Sequence, residues 1–316
     1  NESHDTIVSQ LKVMGASLDW SREAFTLDAA RTRAVHTVFK QMYDAGLIYR
    51  GNRIVNWDPK GQTTISDDEI VHEERKAKLY TFKYSKDFPI SISTTRPETK
   101  VGDVAVAVHP DDTRYAEFVG KTYEAVFCDV PITIRVVADK EVDPAFGTGA
   151  LGVTPAHSQI DWDIAERHDL PRVQVINEYA KMTVEGRLNE KKASEARDMV
   201  IEWLREQNLL EKEEDISQNI SLAERTGGII EPLPKLQWFI DVNKEILGRG
   251  KSLKELMLEP VQDGRIEIIP EHFDKTYFHW IENLRDWCIS RQIWYGHRVP
   301  VWYKGCLLYT SDAADE

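Results

Sequence analysis

Ile90-Ser91-Ile92-Ser93-Thr94-Thr95-Arg96-Pro97-Glu98-Thr99 begins as an alternating apolar and polar run and ends in hydroxyls bent by a proline. Alternation with a period of two marks a half-buried strand. The same texture recurs at residues 79–84, 104–108 and 132–138, with Pro, Gly and Asp-Asp between the runs. Such punctuation separates short strands, so the middle of the chain is expected to be β-rich. It closes with a helix expected at 191–208, where Ala193, Ala196, Val200, Trp203 and Leu204 fall on one face. The acidic stretch Glu211-Lys212-Glu213-Glu214-Asp215 then reads as a solvated exit linker. Upstream, Val35, Val38, Phe39, Met42 and Tyr43 recur at helical spacing, and Gly46 stands where a C′ residue belongs. That helix is expected to pack on a sheet. A hairpin is expected next, with strands at 47–49 and 54–57 joined by Arg50-Gly51-Asn52-Arg53. Mixed α/β texture returns after residue 215 and ends in an aromatic-rich block at 277–303.

Length and composition bound what this pattern can be. The chain has 316 residues, 41% of them hydrophobic, enough to bury one large core or two modest ones, so at least two domains are expected. A net charge of −13 argues against recognition of nucleic acid through a global basic field, and any RNA contact must come from a local patch. Cys128, Cys288 and Cys306 are isolated, which supports neither a disulfide framework nor a cysteine zinc site and fits a reducing cytoplasm. No run of about 18 apolar residues marks a membrane span. The start, Asn1-Glu2-Ser3-His4-Asp5, lacks a signal layout and an initiator Met, which suggests a truncated reading frame. Residues 306–316, CLLYTSDAADE, break the preceding texture and resemble the translated read-through of a sequencing adapter. They are expected to be a non-native tail without a structural role. Trp20, Trp57, Trp238, Trp280 and Trp287 are read as core rather than as stacking platforms.

The chemistry is concentrated in two threonine-bearing motifs. The first is Thr94 to Thr99; the second is Gly147-Thr148-Gly149-Ala150, running on to Thr154-Pro155-Ala156-His157 and Asp161. Each joins hydroxyls on a Gly- or Pro-bent backbone to charged residues, a combination able to hold a short aminoacyl ester and aim a water at it. Thr94, Thr95 and Thr99 offer donors and acceptors, and Pro97 fixes the local φ. Arg96 is a planar fork suited to a terminal ribose or phosphate. Gly147 and Gly149 permit close backbone approach. Read singly, Thr94 and Thr95 are ordinary strand formers, Asp161 a support for the first turn of a helix, and His157 with Asp161 a metal pair lacking a third ligand.

A third block, Asp286-Trp287-Cys288-Ile289-Ser290-Arg291-Gln292-Ile293-Trp294-Tyr295-Gly296-His297-Arg298-Val299-Pro300, completes a set. In this order the three resemble class I aminoacyl-tRNA synthetases and, within them, the valyl-tRNA synthetase family. The resemblance runs to Lys304. It implies an α/β fold in which split Rossmann-type catalytic pieces flank an inserted β-rich, β-barrel-like editing domain. The implied divisions are catalytic at 1–71, editing at 72–215 and catalytic again at 216–305. It also implies catalytic editing roles for Thr94, Thr95, Arg96, Thr154 and Asp161, the last pairing with the substrate's α-ammonium. Thr99, Gly147, Gly149, His157, Trp294 and His297 would bind substrate. The implied activity is ligation of valine to tRNA-Val with ATP and Mg2+, with hydrolysis of mischarged threonyl-tRNA-Val at an editing site that uses no cofactor. Valine against threonine is an established worked case of this problem: a pocket for the one cannot strongly reject its hydroxylated near-isostere, so a second site must hydrolyse the error. DNA and membranes are not expected partners.

The chain departs from the family in several places. Gly152 stands where Lys is common, Ser158 where Asp is common, and Tyr295 where a second Trp is usual. The HIGH and KMSKS signatures for ATP are expected upstream of Asn1 and downstream of Lys304. Two other readings remain. One is an isoleucyl-tRNA synthetase piece, disfavoured by Arg96 and Glu98. The other is a freestanding deacylase or a non-catalytic tRNA-binding piece, for which the catalytic flanks would be needless.

Overall fold

Residues 2–304 and 307–310 are described by the computed structural model of the chain. In chain order the regular elements begin with α1 (Glu2–Val13), α2 (Ala29–Asp44), β1 (Ile48–Asp58), β2 (Thr63–Ile65), β3 (Ile70–Phe82) and β4 (Ile92–Thr94). There follow β5 (Ala105–Val108), β6 (Thr122–Phe127), β7 (Val130–Ala138), β8 (Ala150–Val153), α3 (Gln159–His168), α4 (Ala193–Glu206) and β9 (Leu210–Ala223). The last are β10 (Glu231–Ile240), β11 (Glu245–Ile246), β12 (Lys251–Ser252), α5 (Leu253–Gln262), α6 (Asp274–Glu282), β13 (Trp287–Cys288), β14 (Val301–Lys304) and β15 (Leu307–Thr310). The architecture is mixed α/β with several separate sheets. By internal contact the chain forms two units, residues 49–293 and residues 1–48 with 294–316, which divides it differently from the sequence boundaries at 71, 215 and 305.

The larger unit is organised by β5, whose four residues are all buried. Its sheet runs β6-β7-β5-β8, with β5 parallel to β7 and the other pairings antiparallel. Because successive side chains on a strand point to opposite faces, β5 serves two cores at once. Val106 and Val108 join a large cluster with Phe82, Tyr84, Phe88, Phe127 and the α4 residues Ala196, Val200, Trp203 and Leu204. Ala105 and Ala107 face the other way, onto Val153 and the α3 residues Ile164 and Ala165. Two faces covered by helices explain why β5 reads as continuously apolar. In a second sheet β3 pairs along most of its length with β9 and, at its end, with β4, in the order β4-β3-β9. A third sheet, β13-β10-β1-β2, draws on chain segments from both sides of that ribbon.

In the smaller unit α2 ends as expected: Ala45 is the C-cap and Gly46 follows at φ +68. Its apolar face is largely open, since Val35 and Val38 are exposed and Phe39 is the one buried residue of the helix.

Four expectations are corrected. The hairpin at 47–57 is a single strand, β1, that runs straight through Arg50–Arg53, and Gly51 has no positive φ to make a turn. The acidic stretch at 211–215 belongs to β9, paired antiparallel with β3, and Lys78 of β3 and Arg205 of α4 both meet Glu213 there. Within the segment read as a non-native tail without a structural role, Leu307–Thr310 pairs antiparallel with β14; Cys306 and residues 311–316 lie outside the described residues. Of the tryptophans read as core, Trp57 and Trp238 are buried, whereas Trp280 and Trp287 are more than half exposed.

Candidate active site

The two threonine motifs meet because β4 lies against the loop entering β8. A Cβ placed on Gly147, at φ +56, would fall 2.6 Å from the Ser93 Cβ, so only glycine lets the backbones approach this closely. Gly149, at φ +77, is closed in a similar way by the Arg114 guanidinium and the Pro144 carbonyl. The Tyr115 hydroxyl donates to the Thr148 carbonyl at 2.7 Å and holds the loop between these glycines.

Residues 94–99 form a tight turn rather than a row of free hydroxyls. The Arg96 amide donates to Thr94 Oγ1 at 3.0 Å, and Thr99 Oγ1 donates back to the Arg96 carbonyl at 2.9 Å. Pro97 opens the 3-10 turn Pro97–Gly102 that follows. Thr95 Oγ1 accepts from Gln218 Nε2 at 3.3 Å. It lines an open groove of about 360 Å³ together with Lys76, Lys78, Tyr80, Arg197 and Gln218. Arg96 is already engaged: Nη2 meets Glu231 at 2.6 Å and Nε meets Glu98 at 3.2 Å. Glu98 is fully buried and takes a two-pronged contact from Arg197 at 2.9 and 2.8 Å. Burial alone would raise the Glu98 pKa, but Arg197 and Arg96 outweigh it and hold the carboxyl below its ordinary value.

On the other side of the site, Thr154 ends β8 and Ser158 caps α3 by accepting from the Asp161 amide at 3.3 Å. Asp161 therefore sits in the first turn of α3, yet its carboxylate turns back, and Oδ2 accepts from the Thr154 amide at 2.7 Å. Burial raises its pKa, against the opposing pull of Lys100 and the Thr154 amide. The Thr154 hydroxyl is spent inward, donating to Asp103 and accepting from Lys100 Nζ at 2.8 Å. His157 is buried as well, and its Nε2 accepts from the Val175 and Ile176 amides at 2.9 and 3.2 Å. Those bonds make Nε2 the acceptor and Nδ1 the protonated nitrogen of the neutral ring. Among the described residues no group of three or more His, Cys, Asp and Glu is placed to hold a metal ion.

Lys100, Asp103, Tyr84, Arg197 and Glu231 were not singled out in the sequence. Glu98, inside the quoted motif, is the one signal that a cation network was needed. Position 152, where the resemblance leads to a lysine, has no room for a side chain: a Cβ there would lie 2.4 Å from Asp103 Oδ2 and 2.6 Å from the Tyr84 hydroxyl. Trp294 and His297 belong to the smaller unit, where Trp294 is fully exposed and His297 Nδ1 lies 3.5 Å from Thr32 Oγ1. No helix among the described residues is long and apolar enough to cross a membrane.

The family model for tRNA synthetases class I (I, L, M and V) matches residues 1–308. The valine--tRNA ligase of Thermotoga maritima is 46% identical over 307 residues, covering 96% of this chain and 34% of that protein. That of Protochlamydia amoebophila is 44% identical over 313 residues, covering 96% of this chain and 31% of its own. That of Symbiobacterium thermophilum is 44% identical over 306 residues, with coverage of 95% and 32%. The chain thus spans about a third of the length of these relatives.

Proposed function

Since the chain belongs to the class I tRNA synthetases (I, L, M and V), we propose that its two threonine motifs form a hydrolytic proofreading site acting on threonyl-tRNA-Val. The whole protein would join valine to tRNA-Val in the cytoplasm. That ligation would draw on ATP with Mg2+, and no residue of the hydrolytic site is asked to hold either. In this reading the β-rich part is an editing domain inserted between two halves of a Rossmann-type catalytic domain.

The observation that carries the reading is the convergence of the two motifs, Ser93 against Gly147, with Asp161 held on the Thr154 amide. The 3′-terminal nucleotide would enter the groove beside Thr95, where Lys76 adds positive charge next to Lys78 and Arg197, which are themselves paired with Glu213 and Glu98, and where Asp215 also lines the wall. Asp161 would take the α-ammonium. A water then attacks the ester carbonyl, a C–O bond to water forms, the C–O bond to the ribose breaks, and the ribose oxygen takes up the proton. The ester is already reactive, so positioning supplies most of what is needed. Arg96 serves this site from its salt bridges to Glu98 and Glu231, as a support of the turn.

The test is deacylation of threonyl- and valyl-tRNA-Val by the purified chain. Threonyl-tRNA-Val should be hydrolysed well above its spontaneous rate and valyl-tRNA-Val spared. Asp161→Asn, which keeps the shape and deletes the charge, should slow the reaction at least about tenfold, because a charge-assisted hydrogen bond contributes roughly 1.5 to 3 kcal/mol. A folded, active parent whose Asp161→Asn variant works at the same rate would overturn the assignment of Asp161.

A further inference from the structure

We propose that Lys100 is a positioning residue of the hydrolytic site, fixing the Thr154 hydroxyl and the Asp103 carboxylate and, through the Thr154 backbone, setting where the Asp161 carboxylate meets its substrate. The inference rests on the proofreading reading above. Lysine is the most strongly hydrated of the cations and is rarely buried without a partner. Here it is 5% exposed, and each of its three donors is used. Nζ meets Gly152 O at 2.7 Å, Thr154 Oγ1 at 2.8 Å and Asp103 Oδ1 at 3.1 Å. Two of these acceptors, Gly152 in β8 and Thr154 just after it, lie on the stretch of chain that leads to Asp161. Asp103 takes the Thr154 hydroxyl proton on the same oxygen, and its other oxygen accepts from the Tyr84 hydroxyl. The absence of a side chain at Gly152 is what lets Asp103 and Tyr84 close over this point. The network is thus saturated by its own members, and it locks the residue whose amide anchors Asp161 Oδ2.

The same geometry has an electrostatic consequence. The charged and titratable groups facing Asp161 are Lys100 and Asp103, from the turn after β4 and its exit, and Tyr84, just past β3. Burial pushes the Asp161 carboxyl up, Lys100 pulls it down, and Asp103 pushes it up by less than Lys100 pulls. Lys100 therefore helps keep Asp161 ionised, the state that can receive an ammonium.

The experiment compares the full chain with Lys100→Met and with Lys100→Met/Asp103→Asn. It follows the side-chain carboxyl of Asp161 by 13C NMR titration, identified by its loss in Asp161→Asn, alongside hydrolysis of threonyl-tRNA-Val at pH 7. The Asp161 midpoint should rise in the single variant and rise less in the double, and hydrolysis in the single should fall at least about tenfold, a factor equal to 1.4 kcal/mol. Should the single variant not fold, the double carries the test, since neutralising both members of a buried pair is far milder than removing one. A folded variant in which Asp161 titrates as in the parent overturns the proposal, whatever happens to the rate, because the effect is then only structural. A raised midpoint with an unchanged rate overturns it too. The titration needs no substrate, so if the parent does not deacylate at all the hydrolytic reading falls while the Lys100–Asp161 coupling is still decided.

Discussion

At the scale of single residues, His157 shows how a motif residue can be spent on structure. Burial, with Arg96 and Lys100 adding repulsion, lowers its pKa to about 3. An unfolded histidine takes up its proton near pH 6.5. Between those two values the unfolded chain binds the extra proton, so stability is present above about 6.5 and is lost as the pH falls toward 3. At pH 5 the loss from this group is about 2 kcal/mol. The unfolding midpoint of the parent should drop between pH 7 and 5, and His157→Gln, whose amide oxygen can still accept from Val175 and Ile176, should flatten that dependence by close to one proton. An unchanged slope in the variant would show that His157 is not the buried neutral group the structure describes. Gly152 makes a steric point in the same neighbourhood. Gly152→Ala should cost about 1–3 kcal/mol in chemical denaturation, because its Cβ must displace the Asp103 carboxylate and the Tyr84 hydroxyl.

At the scale of elements, four alternating charges tie three pieces of chain together. Arg96 and Glu98 stand on the turn after β4, Arg197 on α4 and Glu231 at the start of β10. Glu98 is the centre of this chain of contacts and is wholly buried. Glu98→Gln keeps the shape but leaves two arginines facing a neutral amide, and removing one partner of a buried pair costs about 3–5 kcal/mol. Since Arg197 retains 38% of its side-chain exposure and Arg96 25%, water relieves part of that cost. The expected loss is therefore about 3 kcal/mol, measured as a shift in urea midpoint without a change in slope. Arg197→Met should cost less than Glu98→Gln; the reverse order would mean that the network is not centred on Glu98.

At the scale of the whole molecule, the two units differ in how much they bury. Residues 49–293 hold both apolar clusters, whereas the buried apolar side chains described in the other unit are Phe39, Leu47, Ile48 and Val301. Local stability follows buried contact, so amide exchange should be fastest in α1, which buries no residue, and slowest in β5 and β7, with rates apart by on the order of a hundredfold or more. Equal protection in α1 and β5 would contradict this division. The regular elements were largely legible in advance, because periodicity is a local property of sequence. The runs ending in Thr94, Val108 and Ala138 are strands, and the helix expected at 191–208 is Ala193–Glu206 with Ala196, Val200 and Leu204 fully buried. Gly46 signalled the end of α2 for the same reason, a local need for positive φ. Resemblance in the motifs pointed to the family. What no local pattern contained was the pairing of distant charges. An acidic run became strand β9 because it pairs along β3, whose Lys78 lies 135 residues from Glu213, Arg50–Arg53 stayed extended within β1, and Lys100, already beside Asp103 in its own turn, reached Gly152 and Thr154 only once β8 lay beside β5. A hydrogen bond or ion pair across fifty or more residues leaves no period in the sequence, so tertiary packing decided that the Thr154 hydroxyl is committed to Lys100 and Asp103, whereas the return of Asp161 onto the Thr154 amide spans seven residues and is local.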